Sequence, residues 1–326
     1  MIKKRELHPL EGVLVGQAED LVAMTGCTVV IVPDGAVCGV SVFGGSPCTR
    51  DTDALDPISN RTLTHAVVLT GGSCFGLSSV IGVETLLEER GIGRNVGVTV
   101  VPNISAAALF DLRCGSASRR PDAEMGRVAA LNAFYGFPFV SGNHGAGTGA
   151  TIGKTNGLER SMKGGVGWGT AHIDSLRVNA VVAVNCVGDV TEQGRIIAGA
   201  RKQEGGFADS ERILASQYQS HGDFFSDNTI LGCVMTNAIV TKDQATRLAK
   251  IGQDALGEVI HPAHSVFDGD TLFVLATGKV EATQDAVGIL VRRAVQEAIL
   301  DGVRAAQTYG PYLAWRDLPQ KNGKRC

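Results

Sequence analysis

A polar loop that leads directly into an apolar run is the feature that most constrains this chain. The loop covers residues 220–228, and the run that follows it begins with Thr229, Ile230 and Leu231. An apolar run bounded by polar residues predicts a buried strand with Thr229 at its first position. The sequence therefore places a threonine hydroxyl at the boundary between a surface loop and the protein interior.

Thr229 gains a chemical role if the bond between Asn228 and Thr229 is cut. The threonine would then carry a hydroxyl nucleophile and a free α-amino group. An α-amine has a pKa of about 8, so it can accept the hydroxyl proton near neutral pH. An ordinary threonine at the first position of a strand would give the same sequence pattern. Position alone therefore does not distinguish a nucleophile from an ordinary strand residue.

The composition is that of a compact, layered protein. The 326 residues are 44% hydrophobic and 19% charged, and 42 are glycine, which predicts a sizeable core with many tight turns. The net charge of −3 gives no electrostatic reason to bind nucleic acid or an anionic membrane. Apolar stretches are too short to span a membrane, and residues 1–9 lack the apolar core of a signal peptide. We expect a cytoplasmic protein without a membrane partner.

Sequence signatures of metal and cofactor sites are incomplete. The eight cysteines form no Cys-x-x-Cys pair, which argues against a structural metal. His261 and His264 flank Pro262, so a solvated or capping role is favoured over a metal pair on a helix. We expect no metal and no cofactor. The segment from Asp268 to Asp270 is open to three interpretations: a turn, a fragment of a calcium loop, or a pair of catalytic carboxylates.

The apolar periodicity predicts blocks of strands and helices rather than strict alternation, and such blocks favour stacked sheets between helical layers. Residues 201–227 are the predicted processing or hinge region. The middle third, residues 142–169, is glycine-dense with short strands. Strands are predicted at 28–32, 37–43, 66–70, 96–101, 175–184, 194–198 and 271–277, as well as from Thr229, and helices at 77–89, 121–134, 242–259 and 282–309.

Four motifs occur in an order that resembles the DmpA-type aminopeptidase family, which includes β-peptidyl aminopeptidases and nylon-oligomer endohydrolases. The resemblance runs over about residues 10–307. It implies a four-layer αββα sandwich of the N-terminal-nucleophile type. It also implies one catalytic domain, residues 1–326, that cleaves itself into chains 1–228 and 229–326 and assembles into tetramers. The motifs are Thr70-Gly71-Gly72-Ser73-Cys74-Phe75-Gly76-Leu77, Arg120-Pro121-Asp122-Ala123, Asn228-Thr229-Ile230-Leu231 and Phe267-Asp268-Gly269-Asp270-Thr271-Leu272-Phe273.

The resemblance implies roles for the residues of the site. Thr229 corresponds to the nucleophile and Asn228 to the residue before the cut. Asp268 and Asp270 correspond to an acidic pair that holds the α-amine and orients proton transfer. Two more candidates come from the preceding third of the chain. Lys154 corresponds to a lysine that supports the nucleophile electrostatically, and Asn185 to an asparagine near the oxyanion, where an N–H can be worth roughly 3 kcal/mol.

One departure from the family pattern concerns the substrate. Aminopeptidases of the family hold the free amine with a Glu-x-Tyr segment, and Ala108 and Phe110 stand in its place here. Ala108 cannot pair with an ammonium, and Phe110 cannot donate a hydrogen bond. Phe110, Gly72 and Ser73 are the candidate substrate contacts. We therefore expect an endo-acting or broad hydrolase of small peptides or oligoamides. An aminopeptidase, an acyltransferase of the ornithine acetyltransferase type and a non-catalytic scaffold remain alternatives.

Overall fold

Strands and helices follow one another in blocks along the chain. The computed structural model describes residues 10–219, 228–321 and 324–325. The strands in these ranges are β1 (Leu14–Asp20), β2 (Thr25–Val42), β3 (Thr49–Arg50), β4 (Thr64–Thr70), β5 (Arg94–Asn95), β6 (Val100–Val101), β7 (Ile104–Ala108), β8 (Thr151–Ile152), β9 (Met162–Lys163), β10 (Gly165–Ile173), β11 (Leu176–Asn185), β12 (Asp189–Glu192), β13 (Arg195–Ala198), β14 (Thr229–Ala238), β15 (Ile260–His261), β16 (Thr271–Val280), β17 (Gln320–Lys321) and β18 (Lys324–Arg325).

Several α-helices begin at residues whose side chains accept hydrogen bonds from the first backbone N–H groups. Asp122 accepts a hydrogen bond from the amide of Met125 at the start of one helix, and Thr241 forms a capping box with Gln244 at the start of another. Among the described residues, no helix has the length and apolar character needed to cross a bilayer. The α-helices are α1 (Ser79–Glu89), α2 (Ala123–Phe134), α3 (Ser210–Ser216), α4 (Lys242–Val259) and α5 (Gln284–Ala305).

Two sheets share the long strand β2. Its first half pairs with β1 and β4, with Cys27 opposite Thr70, in a first sheet that continues to β7 and β3. Its second half pairs with β16, with Val42 opposite Thr271, in a second sheet of order β10-β11-β14-β16. One continuous strand of 18 residues therefore joins both sheets.

The two sheets stack face to face between helical layers. Alternate residues of β14 point to opposite faces: Leu231 packs in a core between the sheets together with Val30 and Leu69, whereas Ile230 packs in a core with α4 and α5. The outer face of the first sheet packs against α1 and α2. The order of layers is helices, sheet, sheet, helices, which confirms the predicted four-layer αββα sandwich.

The glycine-dense segment 142–169, where only short strands were expected, ends inside the nine-residue strand β10 (Gly165–Ile173). Its glycines let helix α5 approach the sheet to backbone contact. A Cβ placed on Gly167 would lie 2.1 Å from the carbonyl oxygen of Ala298 and 2.2 Å from the amide nitrogen of Gly302. Glycine at this position therefore serves close packing rather than a turn.

Several predicted boundaries were wrong. The two strands predicted at 28–32 and 37–43 are one strand, β2. Residues 96–101 form part of the small β5–β6 hairpin, with Val98 exposed, and the buried strand follows as β7, which the sequence pattern missed together with β1. Residues 220–227 of the predicted processing region lie outside the described residues.

The direction of β14 and β16 positions the candidate site residues. These strands run parallel, with Leu231 opposite Thr271, and β11 runs antiparallel beside them, with Asn185 opposite Thr229. The starts of β14 and β16 therefore meet the end of β11 at one edge of the second sheet. Thr229, Asn185 and the Asp268–Asp270 turn lie side by side because of this pairing.

Replacing Gly167 with alanine should destabilise the protein by about 3 kcal/mol, because the added methyl group overlaps backbone atoms that cannot move independently. The measurement is urea unfolding followed by circular dichroism. Gly257→Ala is the matched control: a Cβ there meets no atom within 4 Å, and alanine favours the helix by up to about 1 kcal/mol. Equal unfolding midpoints for the two variants would refute the packing role of Gly167.

Candidate active site

The hydroxyl of Thr229 lies against the peptide bond that precedes it. Oγ1 donates a hydrogen bond to the carbonyl oxygen of Asn228, and the amide of Gly269 donates to the same oxygen at 2.9 Å. A Cβ on Gly269 would lie 2.7 Å from Thr229 Oγ1, so only glycine allows this approach. Thr229 and Asn228 are both buried. A hydroxyl oxygen, a carbonyl and an N–H donor thus meet in a water-poor site.

Asp270 connects the strand that begins with Thr229 to a histidine. Its Oδ1 accepts a hydrogen bond from the amide of Ile230 at 2.8 Å. Its Oδ2 accepts one from the amide of His264 at 3.1 Å and lies 2.8 Å from Nδ1 of the same residue. The carboxyl group is completely buried. Asp270 therefore clamps the backbone immediately after Thr229.

Asp268 is held by a separate set of donors. Its Oδ1 accepts a hydrogen bond from the amide of Val187 at 3.3 Å, and its Oδ2 accepts the Ser265 amide at 3.1 Å and the Ser265 hydroxyl at 2.5 Å. Burial, and then the charge of Asp270, raises the pKa of Asp268 well above its ordinary value. The pair can therefore hold a proton beside Thr229 at a pH where an exposed aspartate would have lost it.

Lys154 reaches the site through Asn185. Its Nζ donates to the backbone oxygen of Asn185 at 3.2 Å and to Oδ1 at 3.0 Å. The amide of Thr151 donates to the same Oδ1 at 2.9 Å, and Asn185 Nδ2 donates to the carbonyl oxygen of Phe110 at 3.0 Å. Lys154 is buried rather than a surface loop lysine. These contacts fix the Asn185 amide directly across from Thr229.

Gly72 and Ser73 connect to the site through the turn after β7. The amide of Gly72 donates to Oδ1 of Asp111 at 2.8 Å, and the amide of Ser73 donates to the carbonyl of Leu109 at 2.9 Å. The other oxygen of Asp111 accepts the Thr25 hydroxyl at 2.7 Å. Burial raises the pKa of Asp111 to about 6. This segment shapes the turn that presents the Phe110 carbonyl to Asn185.

The structure adds a buried lysine that the sequence pattern did not reveal. Lys163 is fully buried, and its Nζ donates to the carbonyl oxygens of Gly147, Ala150 and Gly164 at 2.7 to 3.1 Å. Burial lowers its pKa to about 8. Its cation stabilises the backbone leading to Thr151, which in turn holds Asn185.

The expected solvated or capping role of His264 was wrong. Its ring packs against Asp270 with its side chain 16% exposed, and the only signal in the sequence was its position four residues before Asp268. His261 is the more exposed of the two histidines, with Nδ1 3.7 Å from a carboxylate oxygen of Glu211. Ser265 and Gly269 were also missed as site residues. Their roles depend on how residues 264–270 fold back on themselves.

Comparison of the sequence with known proteins identifies the family of this chain. The sequence matches peptidase family S58 over residues 6–312. An uncharacterized aminopeptidase of Mycobacterium leprae is 38% identical over 271 residues, covering 80% of this chain and 73% of that protein. A 6-aminohexanoate-oligomer endohydrolase of Paenarthrobacter ureafaciens is 27% identical over 309 residues, covering 89% of this chain and 83% of that protein.

A solved structure shares the fold. The L-aminopeptidase D-Ala-esterase/amidase from Ochrobactrum anthropi, a variant of the Ntn hydrolase fold, aligns with a TM-score of 0.68 and 18% identity over 91% of this chain and 85% of that chain. The resemblance inferred from the four motifs is confirmed by these matches. The chain belongs to peptidase family S58 and is a hydrolase of amide bonds.

Proposed function

We propose that this protein cleaves itself between Asn228 and Thr229 and then uses Thr229 as an N-terminal nucleophile to hydrolyse internal amide bonds of peptides or oligoamides. The observation that carries the proposal is the contact of Thr229 Oγ1 with the carbonyl oxygen of Asn228, an oxygen that also accepts the Gly269 N–H at 2.9 Å.

Self-cleavage needs a nucleophile, stabilisation of the oxyanion and a proton relay. Oγ1 of Thr229 attacks the Asn228 carbonyl carbon, and the Gly269 N–H stabilises the negative charge on the oxygen. The C–N bond then breaks as the nitrogen takes up the hydroxyl proton, which leaves an ester between Asn228 and Thr229. Water hydrolyses the ester to a carboxyl group on Asn228 and a free hydroxyl and α-amine on Thr229.

Turnover repeats the same steps on a substrate. The free α-amine accepts the Thr229 hydroxyl proton as Oγ1 attacks the substrate carbonyl, and the proton passes to the leaving amine. Asp268 and Asp270 orient the amine. Asn185, held by Lys154, supplies an amide near the developing oxyanion. Water releases the acyl group and restores the threonine.

The absence of a carboxylate at the amine-binding position favours internal cleavage. Ala108 is buried at the end of β7, where its amide donates to the Cys48 carbonyl at 2.8 Å. The nearby Asp111 carboxyl already accepts bonds from Gly72 and Thr25. The name of the Paenarthrobacter relative, an endohydrolase, agrees with internal cleavage. An aminopeptidase is the second candidate because the mycobacterial relative carries that name.

Three expectations from the sequence stay predictions: a peptide or oligoamide as the binding partner, a tetramer of processed units, and a cytoplasmic location. Each follows from the family resemblance or from composition.

Thr229→Ala should remain a single polypeptide and lose amide hydrolysis by about a thousandfold or more, because the variant has no nucleophilic oxygen. Gel electrophoresis and N-terminal sequencing of the smaller fragment give the cleavage site, and release of amine from an oligoamide gives the rate. Thr229→Ser, which keeps a hydroxyl, is the control and should still cleave. An active, processed Thr229→Ala variant would overturn the assignment.

Gly269→Ala should slow self-cleavage, because the new methyl group would lie 2.7 Å from Thr229 Oγ1 and 2.6 Å from the Ser46 carbonyl oxygen. The fraction of processed chain is measured at intervals after synthesis in a cell-free system. Gly257→Ala, which adds the same group where no atom lies within 4 Å, should process like the parent. Normal processing of Gly269→Ala would mean that the hydroxyl does not react from this position.

Blocking the substrate amine should leave the rate of internal cleavage within about threefold, since Ala108 replaces the carboxylate of the family's aminopeptidases and the Asp111 carboxyl already accepts bonds from Gly72 and Thr25. The assay compares an oligoamide with a free amine and its N-acetyl derivative, with mass spectrometry of the products. A strong preference for the free amine, with release of single terminal units, would support the aminopeptidase instead.

A further inference from the structure

The imidazole of His264 has hydrogen-bond acceptors at both ring nitrogens. Nδ1 lies 2.8 Å from Asp270 Oδ2, and Nε2 lies 3.2 Å from the backbone carbonyl oxygen of Gln253 in α4. A carbonyl oxygen can only accept, so Nε2 must carry a proton to bond there. A carboxylate oxygen can also only accept, so Nδ1 needs a proton as well. The doubly protonated ring, an imidazolium, is the form that satisfies both contacts.

The backbone of His264 itself, the ring of Phe43 and the carbonyl of Gln253 fix the position of the imidazole. The backbone of His264 is left-handed, with φ of +56°, which is unusual for a residue with a side chain. This conformation turns its own amide and its ring toward the same oxygen of Asp270. The aromatic ring of Phe43, just beyond β2, packs edge-on against the imidazole at a centroid distance of 4.8 Å. Gln253 is contributed by α4.

Asp270 transmits this arrangement to the reacting residue. One carboxyl oxygen faces His264, and the other accepts the amide of Ile230, which directly follows Thr229. On the basis of the proposed nucleophile, we infer that His264 is a positioning residue: its imidazolium holds the Asp270 carboxylate, and through it the Thr229 end of β14, in the geometry that reacts. It does not touch the substrate.

The protonation of His264 depends on its burial and on the charged groups that surround the ring. Burial lowers its pKa, but the hydrogen bond and charge of Asp270 outweigh burial, so the pKa is raised. Asp268 acts in the same direction. A cavity of about 540 Å³ opens beside the ring and gives water access to it. Its charged lining residues are Lys250, Asp254 and Glu258; the cation opposes protonation of His264 and the two carboxylates favour it.

The sign of the pH effect follows from the raised pKa. The imidazolium contact is present at low pH and is lost as the pH rises through the pKa of His264 in the folded protein. At higher pH the ring can donate from only one nitrogen, so either Asp270 or the Gln253 carbonyl loses the hydrogen bond from the ring. The rate of turnover should therefore fall on the alkaline side because of His264.

The test measures kcat and KM against pH for the processed wild type, His264→Asn and the control His261→Asn, which alters the exposed histidine on the same segment. Asparagine can donate to Asp270 but does not titrate. His264→Asn should lower kcat about tenfold with KM within about twofold, and should lose the alkaline fall in kcat. His261→Asn should follow the wild type.

Wild-type kcat together with an unchanged alkaline fall in His264→Asn would overturn the inference. If Thr229→Ala is also inactive, the assignment of Thr229 as the nucleophile is retained and only the positioning role of His264 is refuted. An active Thr229→Ala variant would instead remove the proposed function itself.

A second measurement does not require the His264 variant to fold. The full chain carrying Thr229→Ala is labelled with ¹⁵N-histidine, and the His264 ring is assigned by elimination through variants of the other histidines. Two protonated ring nitrogens on His264 at pH 6, with a pKa raised above the ordinary histidine value, support the inference. A His264 ring with one protonated nitrogen at pH 6 refutes it.

Discussion

The parallel pairing of β14 and β16 is the constraint on which the site depends. Parallel strands begin at the same edge of a sheet, so the residues that open β14 and those that precede β16 become neighbours without any loop crossing the core. The bridge between Asn228 and Asp268 extends this pairing one step beyond the strands. The proposed catalytic geometry is thus built at the ends of paired strands rather than on a surface loop.

Buried polar groups around Thr229 are stabilised by directed donors. Asp268 and Asp270 each accept three hydrogen bonds, mostly from backbone amides, and Lys154 and Lys163 donate to oxygens from several segments. An unpaired charge at such depth would cost several kcal/mol, roughly the net stability of a domain. The same low-dielectric surroundings strengthen each of these interactions. Folding and site organisation therefore rest on the same contacts.

The sequence predicted what local pattern and motif determine. Helix α4 was predicted with its observed limits because an apolar stripe runs along it, and the structure adds a capping box at its start. Thr229 and Asp268, which lie in two of the motifs, are close together at the ends of neighbouring strands. By contrast, the reason for the Gly167 backbone contact lies in α5, more than a hundred residues away along the chain. His264 was misjudged because its role requires a left-handed backbone and a carbonyl from α4. Neither is visible in a window of sequence.

The place of β14 in the sheet has a consequence for the cut chain. β14 lies between β11, on the segment before Thr229, and β16, on the segment after it, and β16 pairs in turn with β2. The C-terminal fragment would supply two interior strands and the helical layer of α4 and α5, while the N-terminal fragment supplies the strands on either side. Hydrolysis at residue 228 creates two ends but separates no neighbouring strands. Separating the two fragments of a processed chain would require the whole interior to unfold, so we expect both to melt in one transition.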